Sequence, residues 1–194
     1  NYGTYQYLPN TKQCFAGLGN TLSSITNYND IPYIWGGTSG LTMIDNDGNV
    51  YHTVKIGTQI WCVENLHSTK YRDGSTIPLL ENIEDWQANT TGAICTYGDL
   101  NTYGYLYKDK AIENVKNIAP EGWHVPTSTE FNTLLNFLGG SGTAGGYLKQ
   151  SGTTTWSSPN TIINDFCGFN ALPNGWRSNS TGNFGLNTVS FYMS

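Results

Sequence analysis

The chain of 194 residues has a formal net charge of −5, and only 12% of its residues are charged while 13% are aromatic. It has no basic run, which argues against a nucleic-acid partner, and no apolar run near the roughly 20 residues that cross a bilayer. Its 13 Tyr, 6 Trp and 23 Gly are typical of an extracellular, loop-rich β protein with a recognition surface. We therefore predict no nucleic acid, no membrane insertion, and an extracellular location.

The first 40 residues mix aromatic residues with Asn, Thr and Gly and show no helical period. We predict that residues 1–40 form an N-terminal β-rich appendage or a linker. The helical and strand patterns that follow belong to one main domain, which we assign to residues 41–194.

A β-hairpin opens this domain. An Asp-Gly turn signal at residues 45–49 separates the apolar runs 41–44 and 50–56. A second turn, at Gly57, leads into a third strand at 59–63. The pattern predicts three consecutive antiparallel strands.

The two acidic residues of the first turn, Asp45 and Asp47, superficially resemble a calcium loop. However, Gly48 comes too early for an EF-hand, and no Glu follows at the required place. We predict no metal at this turn.

Two helices are predicted in the middle of the chain. A short one lies within residues 79–86. A longer one spans 108–118, because Ala111, Ile112 and Val115 fall on one helical face.

The clearest helix signal spans residues 128–138. Thr127 and Glu130 have the spacing of a capping box, and the apolar residues that follow recur at helical intervals. Gly139 ends the helix. The glycine-containing segment 145–149 predicts a return to extended structure.

The four cysteines are widely spaced and form no Cys-x-x-Cys pair, which disfavours a structural zinc site or a thioredoxin-type motif. The sequence leaves two alternatives open: two disulfides, for which three pairings are possible, or four buried free thiols. The residues are Cys14, Cys62, Cys95 and Cys167.

The chain shows no Ser/His/Asp order and no His-Glu-x-x-His pattern. Of the three histidines, we interpret His52 and His124 as structural. We predict no catalytic residue, no cofactor and no enzymatic activity.

The segment 176–192 carries the strongest functional signal, since Asn, Ser and aromatic residues alternate there with small ones. The alternative interpretation is an ordinary Asn/Gly-rich hairpin loop. Elsewhere in the chain, residues 96–98 and 102–107 are aromatic–glycine stretches. Our predicted ligand contacts are Trp176, Arg177, Asn179, Asn183, Phe184, Asn187 and Tyr192.

Several motifs in register resemble one family, the Fibrobacter succinogenes major paralogous domain, which is found on bacterial and phage surface proteins. They are DGNVY (47–51), VKIGTQIW (54–61), ENL (64–66), YGYLY (103–107), PEGWHVPT (120–127), GGYLK (145–149) and GFNALPNG (168–175). The resemblance covers residues 44 to 194 and leaves 1–40 outside. It implies a cell-surface or virion-surface location.

This family is similar to the C-type-lectin-like fold. The resemblance therefore implies a loop-rich α+β domain with two short helices, 108–118 and 128–138, packed on a twisted antiparallel sheet. Where the family continues with an aromatic-Trp-Ser-Ser stretch and further strands, this chain ends at residues 191–194. Either the domain lacks its last strands, or a partner chain supplies them.

The resemblance also bears on chemistry. Formylglycine-generating relatives use two cysteines that lie close together near the chain end, and Cys167 has no such neighbour. Lectin-type calcium sites need an acidic or amide ligand directly before a proline, and here Leu172 occupies that position. Sugar binding without metal stays open. In relatives diversified by retroelements, the ligand-facing positions lie in the corresponding C-terminal part, which favours the segment 176–192.

Two functions follow from these patterns. The first is a non-enzymatic recognition or adhesion module that binds a glycan or surface protein ligand without metal. The second is a structural subunit of a surface appendage or phage tail fibre, a homo-oligomer whose C-terminal edge packs on a neighbouring subunit.

Overall fold

A computed structural model describes residues 38–152, 155–156, 167–178, 180–182 and 184–185. Over these residues the chain is a mixed α+β protein. In chain order its elements are β1 (Thr38–Ile44), β2 (Val50–Ile56), β3 (Gln59–Cys62), α1 (Ile83–Ala88), β4 (Ile94–Thr96), α2 (Leu100–Tyr103), β5 (Tyr105–Tyr107), α3 (Asp109–Ile112), α4 (Ser128–Phe137), α5 (Ser141–Leu148), β6 (Trp176–Arg177) and β7 (Phe184–Gly185).

The strands form three small antiparallel sheets in the described part of the chain, ordered β1-β2-β3, β4-β5 and β6-β7. The α+β class is confirmed. The prediction of two helices on one sheet is wrong in number, because five helices and three sheets are present over these residues. Of the predicted appendage 1–40, residues 1–37 lie outside the described residues.

The predicted β1-β2-β3 hairpins are confirmed, with Ile44 opposite Val50 and Ile56 opposite Gln59. Asp45 organises the first turn. Its carboxylate accepts hydrogen bonds from the backbone N–H of Asp47 and Asn49, both at 2.9 Å, from the Asn49 amide at 2.9 Å and from the Tyr51 hydroxyl at 2.7 Å. The acidic turn is therefore a hydrogen-bonded structural unit.

Asp47 joins this turn to the next loop. It accepts from the Thr69 backbone N–H at 2.6 Å and from the Ser68 hydroxyl at 3.2 Å, and Lys70 lies 3.0 Å away as an ion pair. These bonds lower the pKa of Asp47, against the opposing effect of desolvation, which is the largest single influence. Both acidic side chains of the turn are thus engaged within the fold.

Helix α4 forms as predicted. Thr127 and Glu130 complete the capping box, with the Thr127 backbone N–H donating to the Glu130 carboxylate at 2.8 Å. Leu134 and Leu138 are buried on the inner side of the helix. Local sequence signals therefore coincide here with burial.

Two neighbouring predictions are wrong. The segment 145–149 was expected to be extended, yet most of it lies in α5, where Ala144 and Leu148 are buried one turn apart. Burial of this pair stabilises a helix that its glycines alone would disfavour.

The helix predicted at 108–118 is a single turn, α3. Asn114 and Asn117 accept hydrogen bonds from backbone N–H groups two residues later, at 3.0 and 2.8 Å. Asn117 also adopts a φ of 58°, and Val115, expected on the buried face, is fully exposed. Asn side chains that bond locally compete with helical hydrogen bonds and end the helix.

Apolar side chains of the described residues pack in three clusters. The first joins β2 to α4 and α5, the second surrounds Ile94 and Ala111, and the third contains Trp86, Ala93 and Cys95. None of the helices in the described ranges has the length and apolar character needed to cross a bilayer.

Cysteines 62, 95 and 167 are free thiols. Burial, with a smaller effect of the Glu64 charge, raises the pKa of Cys62 to about 12. The fourth cysteine, Cys14, lies outside the described residues. The two-disulfide alternative is therefore not supported for these three thiols.

Candidate recognition surface

The hairpin of β6 and β7 contains three of the predicted ligand contacts. Trp176 is 44% exposed and Phe184 is 39% exposed, whereas Arg177 is only 8% exposed. Arg177 pairs with Phe184 across the ladder, and Trp176 pairs with Gly185. The other four predicted contacts, Asn179, Asn183, Asn187 and Tyr192, lie outside the described residues.

Neighbouring side chains of a strand point to opposite faces. Trp176 therefore lies on the opposite face of the hairpin from Arg177 and Phe184. The structure brings Arg177 and Phe184 together and separates Trp176 from them.

The buried guanidinium of Arg177 ties the hairpin to the chain before α1. Its Nη1 donates to the carbonyl of Leu80 at 2.7 Å and its Nη2 to the carbonyl of Glu81 at 2.8 Å. Its Nε donates back across the hairpin to the carbonyl of Gly182 at 3.0 Å. Arg177 thus holds the hairpin in place.

Two aromatic rings also lie against the Arg177 guanidinium. The guanidinium carbon lies 4.6 Å from the ring centroid of Trp86 and 4.9 Å from that of Phe184. Lys108 also lies over Trp86, at 5.4 Å. Ring faces attract cations electrostatically, so Trp86 and Phe184 offset part of the cost of burying Arg177.

Further contacts fix the turn between the two strands. The Trp86 indole N–H donates to the carbonyl of Ser178 at 3.1 Å, and the Gln87 amide donates to the carbonyl of Ser180. Gly182 has a φ of 66°, and a Cβ there would lie 2.8 Å from Ile83. The turn therefore packs closely on α1 through its main chain.

Phe184 continues into a group of three rings that we call the aromatic platform: Phe184, Tyr97 and Tyr103. The Tyr97 ring lies 6.0 Å from that of Phe184 and 5.9 Å from that of Tyr103. Both tyrosines are half-buried, and Phe184 is exposed. The platform is an apolar and partly solvent-facing surface.

Composition analysis missed four of the residues around this surface: Trp86, Tyr97, Tyr103 and Glu81. The aromatic–glycine stretches at 96–98 and 102–107 were the available signal for the two tyrosines. Trp86 and Glu81 lie far from the hairpin in sequence and carry no comparable signal.

Two side-chain amides outside the platform are engaged within the fold. The side-chain amides of Asn174 and Asn65 bond each other at 2.8 and 3.1 Å, at the position compared above with a lectin calcium loop. Among the described residues, no three His, Cys, Asp or Glu side chains come together as a metal site requires.

The two histidines interpreted as structural each contact a carboxylate. His52 Nδ1 lies 2.5 Å from Glu64, and His124 Nε2 lies 2.8 Å from Glu130. Glu130 is the capping-box residue of α4, so His124 contacts a helix start.

Among known families, the chain matches the model of the Fibrobacter succinogenes major domain over residues 54–193, which is more than half of its length. No curated protein matches it. No solved structure matches it either.

Proposed function

This chain belongs to the Fibrobacter succinogenes major domain family, and from that premise we propose a non-enzymatic recognition module on a bacterial or phage surface. It binds a glycan or protein ligand through its C-terminal hairpin and without metal. Its fold is related to that of C-type lectins, as the motifs in residues 44 to 194 suggest. The hairpin replaces the calcium loop as the ligand-binding element.

One observation carries this proposal: a buried arginine anchors the hairpin, and each face of the hairpin presents one exposed aromatic ring. Arg177 uses its buried guanidinium to hold the main chain, while Phe184 and Trp176 keep large exposed aromatic surfaces. Exposed aromatic rings on a hairpin that is already held in place provide contact area for a ligand. Binding then does not carry the entropic cost of ordering a loop. This supports a recognition surface over an ordinary loop.

The test is a binding screen of the purified chain against intact bacterial cells, isolated envelopes and immobilised glycans, with and without EDTA. We expect chelator-resistant binding that falls at least tenfold in Phe184→Ala, because a truncated central aromatic contact removes a large buried area. Biolayer interferometry would measure the affinities.

A matched control is Phe137→Ala. Phe137 is 38% exposed, nearly as much as Phe184, but it lies on α4 beside Gly57. Its loss is expected to leave binding unchanged. Binding that EDTA abolishes, or that both variants weaken equally, would refute the proposed metal-free site.

A second candidate is a structural subunit of an appendage or tail fibre. The exposed Trp176, on the hairpin face away from the platform, favours it, since an exposed Trp is a frequent anchor in protein interfaces. Sedimentation velocity over a hundredfold concentration range tests it. Self-association that Trp176→Ala removes supports this candidate, and a monomer at every concentration excludes it.

A further inference from the structure

A carboxylate is held at the end of β4, the strand that leads to Tyr97 of the aromatic platform. Glu81 Oε1 accepts from the Thr96 backbone N–H at 2.8 Å and from the Thr96 hydroxyl at 2.9 Å. Its Oε2 accepts no hydrogen bond from the residues that the structure describes. An ordered acceptor with spare capacity therefore remains at an exposed position.

Two links place the residue Glu81 close to residues of the platform. Thr96 directly precedes Tyr97, a platform ring. The Glu81 carbonyl also accepts from Arg177, whose guanidinium lies 4.9 Å from the Phe184 ring. Glu81 thus lies between the anchoring residue of the hairpin and the strand that carries Tyr97.

The charges nearby disfavour an anionic ligand. Among the described residues, the two cations that contact this region, Arg177 and Lys108, are buried and donate to backbone carbonyls. The carboxylates of Glu81 and of the first turn of α1, Glu84 and Asp85, are exposed instead. An anion would meet acidic groups without an accessible cation to pair with.

A cationic ligand is disfavoured at Phe184 itself. Arg177 already lies over that ring, so a second cation on the ring would be repelled by the first. What remains is an uncharged ligand with an apolar face and hydroxyl donors at its edge.

We propose that the aromatic platform and Glu81 bind an uncharged pyranose ring of a polysaccharide. The apolar face of the sugar lies on Phe184 and Tyr97, and sugar hydroxyls donate to Glu81 Oε2. This inference rests on the proposed recognition function and narrows its ligand to neutral carbohydrate.

The test measures affinity by calorimetry for soluble neutral glucan, galactan and mannan, and for the same polymers after carboxymethylation. We expect one neutral polymer to bind in a Phe184-dependent manner and its carboxymethylated form to bind at least tenfold more weakly. Glu81→Gln should lose about tenfold in affinity for the neutral polymer, the size of one hydrogen bond to a charged group, and should discriminate less against the charged form.

Glu84→Gln is the control, because it removes a charge three residues away without touching the Thr96 contact. Its affinity should match that of the unchanged protein. Glutamine at position 81 keeps an acceptor for Thr96 and leaves the backbone bond to Arg177 intact, so folding is preserved; circular dichroism and the urea midpoint verify this.

Three results would overturn the inference: binding to none of the neutral polymers, equal or tighter binding of the carboxymethylated forms, or an unchanged affinity in Glu81→Gln. Phe184-dependent binding to bacterial envelopes alongside any of these would leave the recognition function standing. Loss of envelope binding as well would refute both the carbohydrate inference and the proposed recognition function.

Discussion

Arg177 is a buried cation that has no carboxylate partner among the described residues and is compensated by carbonyls and rings instead. Its planar guanidinium reaches Leu80 and Glu81 at once, which a point charge on a flexible stem cannot reproduce. At the scale of single residues, the arginine side chain therefore decides whether the hairpin stays attached.

We expect Arg177→Ala to lower the free energy of unfolding by about 3 kcal/mol or more, since it leaves several carbonyl acceptors without their charged donor. Arg177→Lys should recover only a small part of this loss. Urea denaturation followed by tryptophan fluorescence measures both. The control is Lys110→Ala, which removes only the exposed pair with Glu113 and should leave the urea midpoint nearly unchanged, because exposed ion pairs contribute little to stability. A midpoint unchanged by Arg177→Ala would contradict the anchoring role.

The sequence predicted ligand contacts in this segment but could not assign Arg177 its anchoring role. A positive charge beside Trp176 is equally compatible with a ligand contact and with an internal anchor. The deciding partner, Leu80, is 97 residues away, and no local pattern encodes that contact. The predicted contacts in the described residues therefore divide into one buried side chain, Arg177, and two exposed ones, Trp176 and Phe184.

At the scale of elements, sequence prediction succeeded where the signal was local. The β1-β2 turn and the α4 capping box are both encoded within a few residues. It failed for α5, where burial of Ala144 and Leu148 overrides glycine propensity, and for α3, where local Asn bonds override an apolar period. In both cases the secondary structure depends on burial or on hydrogen bonds to the backbone, and the periodicity of apolar residues carries no information about either.

The capping box of α4 gives a pH prediction. Hydrogen bonds from the Thr127 backbone, then from its hydroxyl and from His124, lower the pKa of Glu130 from 4.5 to about 2. Because the unfolded chain binds this proton more tightly, the stabilisation is complete above about pH 4.5 and is lost as the pH falls towards 2.

The stability difference between the unchanged protein and Glu130→Gln should therefore shrink over that interval. Urea midpoints at pH 7, 5, 4, 3 and 2 measure it. Glu84→Gln, in the first turn of α1 but outside a capping box, is the comparison. A difference that stays constant down to pH 2 would show that the Glu130 charge does not stabilise α4.

A second prediction concerns the junction of α2 and β5. Gly104 has a φ of 66° and a ψ of −164°, and a Cβ there would lie 2.5 Å from the carbonyl oxygen of Leu66. Gly74 has a φ of 83° but open space around it.

Gly104→Ala should cost at least ~2 kcal/mol more than Gly74→Ala, because only the former adds a clash with a backbone atom to the conformational strain. Thermal unfolding monitored by circular dichroism measures both. Equal losses would mean that the α2–β5 junction shifts freely away from Leu66.

At the scale of the whole molecule, the apolar clusters raise the question of cooperativity. Cys167 belongs to the cluster between the first sheet and the helices, and Cys95 to the cluster around Trp86. Both are fully buried, so each thiol reports on the opening of its own cluster.

We expect iodoacetamide to label Cys95 and Cys167 at the same urea midpoint, because small single domains generally unfold in one cooperative transition. Mass spectrometry of the digested protein distinguishes the two sites. Tryptophan fluorescence of the same samples, measured over the same urea series, is the control. Labelling of one thiol well below the fluorescence midpoint would mean that its cluster opens independently.

The contacts from α1 to the hairpin turn are made with main-chain oxygens. Trp86 and Gln87 bind the carbonyls of Ser178 and Ser180, and every residue type supplies such a carbonyl. Substitutions at Ser180 and Thr181 would therefore keep the attachment, provided that Gly182 is retained. A combinatorial library at these two positions would vary the exposed chemistry on an unchanged frame, so the turn is suited to evolutionary divergence or to engineered affinity reagents.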